Sequence, residues 1–315
     1  MRALASMEIC KIYPKNGHDF NASFTFNSGQ AFRWRQINDD SESWIGIIKG
    51  NVVKISNLNA LLLGRLEEQA SDNLPELVAR YFSSDDDMTE ILCSFPKDDH
   101  FLRTAVSDFA GLRLLTQDPW ECLISFVCSI DCNIPSIKLK IENLSKTFGK
   151  RIYTSLDHPF YSFPTPERIS KAEKSELLAC KLGFRWKYVR FIAGEVSRGN
   201  LDLDKIQKMS YEKGLEELLS EVSGKTFGVG PKVADCALLY AYHRKEAFPL
   251  DVWLLKYVRM LYGDSFLLRS DLSRKKYSEI SRFMRDKFGP NAGYAQLFLY
   301  EKVRRGGLIQ NRVPA

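Results

Sequence analysis

Residues Thr226 to Cys236, TFGVGPKVADC, constrain this chain more than any other stretch, because two glycines and a proline stand directly before an apolar run. Glycine tolerates the positive-φ positions of a tight turn, and proline is accepted in a helix's first turn, where its missing N–H costs nothing. The spacing predicts a hairpin at Gly228 and Gly230 and a helix from Pro231 onward, with apolar helical pattern on both sides of the turn between about residues 214 and 243. A short turn of this kind aims successive backbone N–H groups outward and forms a nest for an anion, so it holds a phosphate without reading a base. The 3.6-residue period puts Lys232 and Cys236 on one face of the second helix. Lys232 falls in the first turn, at the positive end of the macrodipole, and an amine held neutral there is a nucleophile. A phosphate contact or an ordinary surface charge would explain a lone lysine equally well.

The front of the chain reads as sheet. ASFTFNSGQAFRWRQI alternates, with Phe24 and Phe26 and then Phe32 and Trp34 spaced by two, and SWIGIIKGNVVKISN is a pair of β-rich runs around Gly50–Asn51. Helical pattern begins near Asn73, and SSDDDM at 83–88 reads as a surface loop or a helix start. From Asp118 the chain is a succession of amphipathic helices separated by Pro- and Gly-bearing turns, with no second sheet evident. The expected fold class is α+β: an N-terminal antiparallel β-rich domain, residues 1–115, packed on a larger all-helical body, residues 116–315, that contains a helix-hairpin-helix.

Charge follows the same division. Residues 1–115 carry 12 Lys+Arg against 16 Asp+Glu, and residues 116–315 carry 33 against 23, so a mildly acidic front precedes a basic rear. A basic rear suits a polyanion, although a solvated surface explains an excess of this size as well. The seven cysteines are odd in number, in a chain too large to need disulfide staples, and the four histidines are scattered, so reduced thiols and no bound metal cluster are expected. No apolar run approaches the roughly 18 residues of a membrane span, and the opening MRALASMEICKIYPK lacks a secretory pattern, so an intracellular protein is expected.

Nineteen residues beyond Lys232, FPLDVWLLKYVRML places Asp251 directly before another apolar helical run. Taken alone, Asp251 is well explained as an N-cap. A lysine and an aspartate at two helix starts beside a phosphate-binding turn are also what attack at a sugar C1′ requires, the amine as nucleophile and the carboxylate as partner to a cationic sugar.

Here a family resemblance becomes visible. GVGPKVADC followed by FPLDVW resembles the helix-hairpin-helix and Gly/Pro–Asp signature of the DNA glycosylase superfamily, and SGQAFRWR (28–35), DPWECLISFVCS (118–129), LGFRWKYV (182–189) and GYAQLFLY (293–300) resemble, in order, segments of its 8-oxoguanine DNA glycosylase branch. The resemblance spans about residues 20–305. It implies a bifunctional glycosylase and abasic-site lyase of base excision repair, acting as a monomer on double-stranded DNA that contains oxidised guanine.

By the same resemblance Lys232 is the Schiff-base nucleophile and Asp251 its acidic partner. Cys236 and Tyr300, the latter where the family usually has Phe, flank the everted base, and Gln296 meets its Watson–Crick edge. The Gly29 carbonyl accepts the N7–H that distinguishes 8-oxoguanine from guanine. Gly228, Val229, Gly230, Asn133, Arg185 and Trp253 are implied DNA contacts, Trp253 standing where a phosphate-touching histidine is common. No organic cofactor or metal is implied beyond a structural monovalent cation on the hairpin carbonyls.

Bottom-up, the same residues also have bland readings: a turn glycine, ordinary helix residues and a small buried apolar thiol. One departure bears on specificity. Where the family reads the cytosine opposite the lesion with Asn- and Arg-type side chains, this chain has Asp131 and Ser136 in CSIDCNIPS, so only Arg185 keeps a contact and relaxed opposite-base selectivity is expected. The alternatives are excision of another damaged purine, such as an alkylated adenine, or a non-catalytic helix-hairpin-helix DNA-binding protein.

Overall fold

The alternating aromatics at the front meet a helix signal in Asn21, whose side chain accepts from the Phe24 N–H at 2.9 Å and starts helix α1, Ala22–Asn27. The expectation of a strand here is corrected. Residues two apart on a helix point about 200° from one another, so Phe26 enters the core under the sheet while Phe24 meets Phe109 of the larger core. A period of two is thus satisfied by one helical turn lodged between two cores. A computed structural model describes residues 9–11, 15, 20–37, 40–56, 59–66, 73–154, 156–220, 228–266 and 272–306.

Five strands, β1 (Ile9–Lys11), β2 (Arg35–Ile37), β3 (Asp40–Ile48), β4 (Asn51–Ser56) and β5 (Asn59–Arg65), form one antiparallel sheet in the order β1-β5-β4-β3-β2. Ile48 pairs with Asn51, so the β3–β4 turn is Lys49–Gly50, one residue before the expected position. One face of the sheet packs Trp34, Trp44, Val53 and Ile55 with Phe26, and Trp34 stacks on Phe26 at 4.0 Å and donates to the Tyr81 hydroxyl at 2.8 Å. The other face buries Ile45, Ile47 and Val52 against Ile152 and Phe160. Burial on both faces explains why these strands read as nearly continuous apolar runs.

The body comprises α2 (Leu74–Tyr81), α3 (Met88–Cys93), α4 (His100–Asp108), α5 (Pro119–Cys128), α6 (Ile134–Phe148), α7 (Pro166–Ser170), α8 (Lys174–Ala179), α9 (Trp186–Ser197), α10 (Leu203–Ile206), α11 (Tyr211–Leu219), α12 (Pro231–Tyr240), α13 (Val252–Phe266), α14 (Arg274–Phe288) and α15 (Ala292–Arg304). A second, two-stranded sheet, β6 (Arg151–Ile152) with β7 (Phe160–Tyr161), corrects the expectation of none, and it supplies the residues that cover the back of the front sheet. Asp87, at the end of the acidic tract, caps α3 by accepting from the Thr89 and Glu90 N–H groups, which makes that tract a helix start. Packing crosses the expected division after residue 115: α3 and α4 bury Met88, Ile91, Phe101, Leu102 and Ala105 in the large core shared with α12 and α15.

Candidate active site

A cleft of about 1000 Å³ opens where the front segment, the α5–α6 turn and the starts of α12 and α13 converge. Gly29, Asn133, Gly228, Val229, Gly230, Lys232, Asp251, Trp253 and Tyr300 all line it. These positions are scattered over 272 residues of sequence, and the fold brings them to one concavity.

The α12 wall is the basic one. Gly230 is the N-cap and makes no side-chain cap bond, and Pro231 occupies the first turn as expected, so no side chain covers the start of the helix. Gly228 has φ +82°, and a Cβ there would lie 2.5 Å from the Tyr188 Cβ, so the turn accepts no side chain. Residues 221–227, the first part of the expected helix-hairpin-helix turn, lie outside the described residues. Lys232 Nζ donates to Ser129 Oγ at 2.8 Å and lies 5.2 Å from the centre of the Phe126 ring. Ser129 Oγ in turn donates to the Phe126 carbonyl at 2.7 Å, which directs its lone pairs toward the lysine.

Asp251 is the N-cap of α13 after all, with Oδ1 accepting from the Trp253 and Leu254 N–H groups at 3.0 and 2.9 Å. Burial raises its pKa above the ordinary carboxylate value, opposed by those two N–H groups and by the charge of Lys232. The cap and the cleft carboxylate are therefore one group, and the capping bonds fix its rotamer. Trp253 faces the cleft with the Lys256 ammonium 4.2 Å from its ring centre.

On the opposite wall Gly29 has φ +78°, and a Cβ there would approach Ile134 Cδ1 at 3.1 Å and the Tyr300 hydroxyl at 3.2 Å. Its turn is pinned by the buried side chain of Gln30, which donates to Ser28 Oγ and the Arg113 carbonyl, both at 2.9 Å, and accepts from the Leu115 N–H at 2.8 Å. Burial pushes the Tyr300 hydroxyl pKa up, so it is a neutral phenol.

Three expected residues do not line the cleft. Cys236 is 3% exposed and Gln296 4% exposed, both behind the cleft surface. Burial pushes the Cys236 thiol up to about 12. Gln296 accepts from the Tyr240 hydroxyl and donates to the Pro249 carbonyl, each at 3.2 Å. Arg185 is turned inward. Its Nε donates to the Ile130 carbonyl at 2.6 Å, and its Nη2 donates to the Ile130 carbonyl and to the Asp131 carbonyl, the latter at 2.9 Å. Asp131 is exposed at the cleft with φ +47°, and Asn133 caps α6 by accepting from the Ser136 N–H at 3.0 Å.

Sequence reasoning missed Ser129, Gln30 and Phe184. A serine after an apolar helix reads as an ordinary helix end, and a glutamine after a glycine carries no signal of burial. Phe184, 49% exposed in the turn before α9, packs edge-on to Tyr188 of the cleft with the Arg185 guanidinium 4.4 Å from its ring centre. An exposed aromatic packed on a residue that lines the cleft is the signal that finds it.

Residues 12–123 match the sequence profile described as 8-oxoguanine DNA glycosylase, N-terminal domain. The chain is 31% identical to the probable N-glycosylase/DNA lyase of Methanothermobacter thermautotrophicus, over 92% of this chain and 96% of that protein. It is 30% identical to the N-glycosylase/DNA lyase of Saccharomyces cerevisiae, over 87% and 81% respectively. The crystal structure of Clostridium acetobutylicum 8-oxoguanine glycosylase/lyase, in complex with double-stranded DNA containing cytosine opposite 8-oxoguanine, superposes with a TM-score of 0.78 at 30% identity, covering 96% of this chain and 99% of that one.

Proposed function

The chain belongs to the 8-oxoguanine DNA glycosylase/lyase family, and from that premise we propose how its cleft removes 8-oxoguanine from duplex DNA and then cuts the strand. The observation that carries the reading is the convergence of Lys232, Asp251, the capless start of α12 and the Gly29–Tyr300 wall on one cleft.

A base inside a duplex is out of reach, so the target nucleotide leaves the stack and enters the cleft, while Phe184 fills the gap it leaves. The hairpin N–H groups of Gly228 to Gly230 hold the adjoining phosphate. The Gly29 carbonyl accepts N7–H of the lesion, a proton guanine lacks. The purine enters against Tyr300, and the cleft wall opens on its entry to bring it to Cys236 and to Gln296, which keeps one amide hydrogen and one lone pair beyond its present bonds for the purine edge. The amine of Lys232 attacks C1′ as the N-glycosidic bond breaks, the purine leaving with the bond's electron pair and taking a proton from solvent, and ionised Asp251 stabilises the cationic sugar and takes the lysine proton. The C1′–O4′ bond of the aminal then breaks, O4′ taking the proton back from Asp251, and the imine so formed acidifies C2′–H, whose loss as a proton expels the 3′ phosphate by β-elimination.

Among the described residues no group of three or more His, Cys, Asp or Glu side chains is placed to ligate a metal. A cation at the hairpin would be held by backbone carbonyls, hard oxygen donors that suit a monovalent ion. Among the described residues no helix is long and apolar enough to cross a membrane, and the proposed working location is on DNA.

Borohydride trapping tests the reading. Wild-type protein with a labelled duplex bearing 8-oxoguanine gives a covalent adduct, and Lys232→Gln gives none while still binding the duplex. Absence of an adduct in wild type, with binding intact, overturns the lysine mechanism and leaves a monofunctional glycosylase or a binding protein.

A further inference from the structure

Lys232 belongs to α12 and Asp251 to the start of α13, so the distance between them depends on how the turn Pro249–Leu250 is held against α12. Both polar groups of the Pro249–Leu250 peptide bond are tied to α12 through a single side chain each. The Leu250 N–H donates to the Tyr277 hydroxyl at 3.1 Å, and that hydroxyl donates to Asp235 Oδ2 at 2.7 Å. The Pro249 carbonyl accepts from Gln296, which accepts from Tyr240. Asp235 and Tyr240 are both on α12, three and eight residues beyond Lys232.

We propose that Tyr277, anchored by Asp235, is a positioning residue that sets Asp251 relative to Lys232; the proposal rests on reading those two as the reacting pair. Asp235 is 1% exposed and accepts from two tyrosine hydroxyls, Tyr211 at 2.6 Å on Oδ1 and Tyr277 on Oδ2. A buried carboxylate is costly, and an apolar substitute in such a place is often neutral or stabilising, so the group's value lies in what it orients. The orientation is specific to a hydroxyl. Leu250 N–H needs an acceptor and Asp235 needs a donor, and the phenol at 277 is both at once. Without it the Leu250 N–H is left buried and unpaired, and the turn that carries Asp251 loses one of its two ties to the helix that carries Lys232. Reaction rates are far more sensitive than folding to displacements of an ångström.

Tyr277→Phe and Tyr211→Phe form a matched pair: each deletes one buried hydroxyl from the same carboxylate, and only the first reaches Leu250. The test compares wild type and both variants in single-turnover excision of 8-oxoguanine at saturating enzyme, borohydride adduct yield and duplex Kd. Tyr277→Phe slows the single-turnover step by about tenfold or more with Kd changed less than about twofold, while Tyr211→Phe stays within about threefold of wild type. Equal slowing in both variants, no slowing in Tyr277→Phe, or slowing matched by weaker binding overturns the relay. If Tyr277→Phe does not fold, Asp235→Asn, which keeps an acceptor, and Asp235→Leu, which does not, decide the matter. Asn retains the rate and Leu loses it if Asp235 anchors the turn, and equal rates sink the proposal. Wild type without an adduct sinks the parent reading; wild type that traps, with Tyr277→Phe equally fast, sinks the relay alone.

Discussion

On the α12–α13 side of the cleft, Lys232 and Asp251 stand at helix starts whose connecting turn is tied twice to α12. On the α5–α6 side, the turn Ile130–Cys132 is held by the guanidinium of Arg185, and its exposed carboxylate is Asp131 in a left-handed backbone conformation. One wall aims charged groups at the space where a sugar would react. The other spends its one expected reading arginine on its own backbone. The contrast teaches that the demands of bond-breaking and of partner-strand reading are separable in this fold, and that this chain meets the first with little support for the second.

Asp251→Asn gives the largest effect on the reacting wall. Asparagine caps a helix as well as aspartate does, so the substitution removes the charge and leaves the bonds to Trp253 and Leu254. Excision falls by about a hundredfold or more, the range of a positioned acid–base group. The stability change has the opposite sign. Because burial raises the pKa of Asp251, the folded state holds a proton that the unfolded chain releases, and stability declines as pH rises from the unfolded carboxylate value through the folded one. The Asn variant therefore melts above wild type at pH 7, and that gain disappears below about pH 4, where the unfolded aspartate is itself protonated. Wild-type excision declines on the acid side at a pH above the ordinary aspartate range. An Asn variant that keeps full excision would show that Asp251 is only a cap.

A smaller effect is expected on the reading wall. An arginine fork to a base edge discriminates by about 1–3 kcal/mol, and here Ser136 replaces it while Arg185 is engaged elsewhere. Single-turnover rates on 8-oxoguanine opposite C, T, G and A span less than about tenfold, and Ser136→Arg with Asp131→Asn widens that span in favour of cytosine. A strong cytosine preference in the unaltered protein would mean that Arg185 leaves the carbonyls of Ile130 and Asp131 when DNA binds.

The two walls also differ in how far they could be read from residues alone. The start of α12 is local grammar: Gly228, Gly230 and Pro231 have backbone requirements that hold in any surroundings, and the helix begins where they place it. Asp251 before an apolar run is equally local, and both its capping and its place in the cleft follow. Arg185 is not local. Its shortest hydrogen bonds reach carbonyls 54 and 55 residues away, and nothing in GFRWKY says which way the guanidinium turns. The same limit explains Cys236 and Gln296, whose spacing is right and whose burial depends on how α12 and α15 pack. Phe24 and Phe26 misled for a different reason: a spacing of two fits a strand face or, on one helical turn, two separate cores, and only the tertiary arrangement chooses. Strands of two residues such as β6 and β7 carry no period to detect.

Ser129 links the walls and gives the smallest predicted effect. It ends α5, on the reading side, and its hydroxyl accepts from Lys232 on the reacting side at 2.8 Å. With its own hydrogen committed to the Phe126 carbonyl, the oxygen acts on the lysine only as an acceptor. It therefore holds Nζ in one place at the cleft, which favours attack from that position. Ser129→Ala releases Nζ and slows adduct formation by about three- to tenfold, the loss of one positioning hydrogen bond. Trapping by Ser129→Ala as fast as by wild type would show that the hydroxyl does not position the amine.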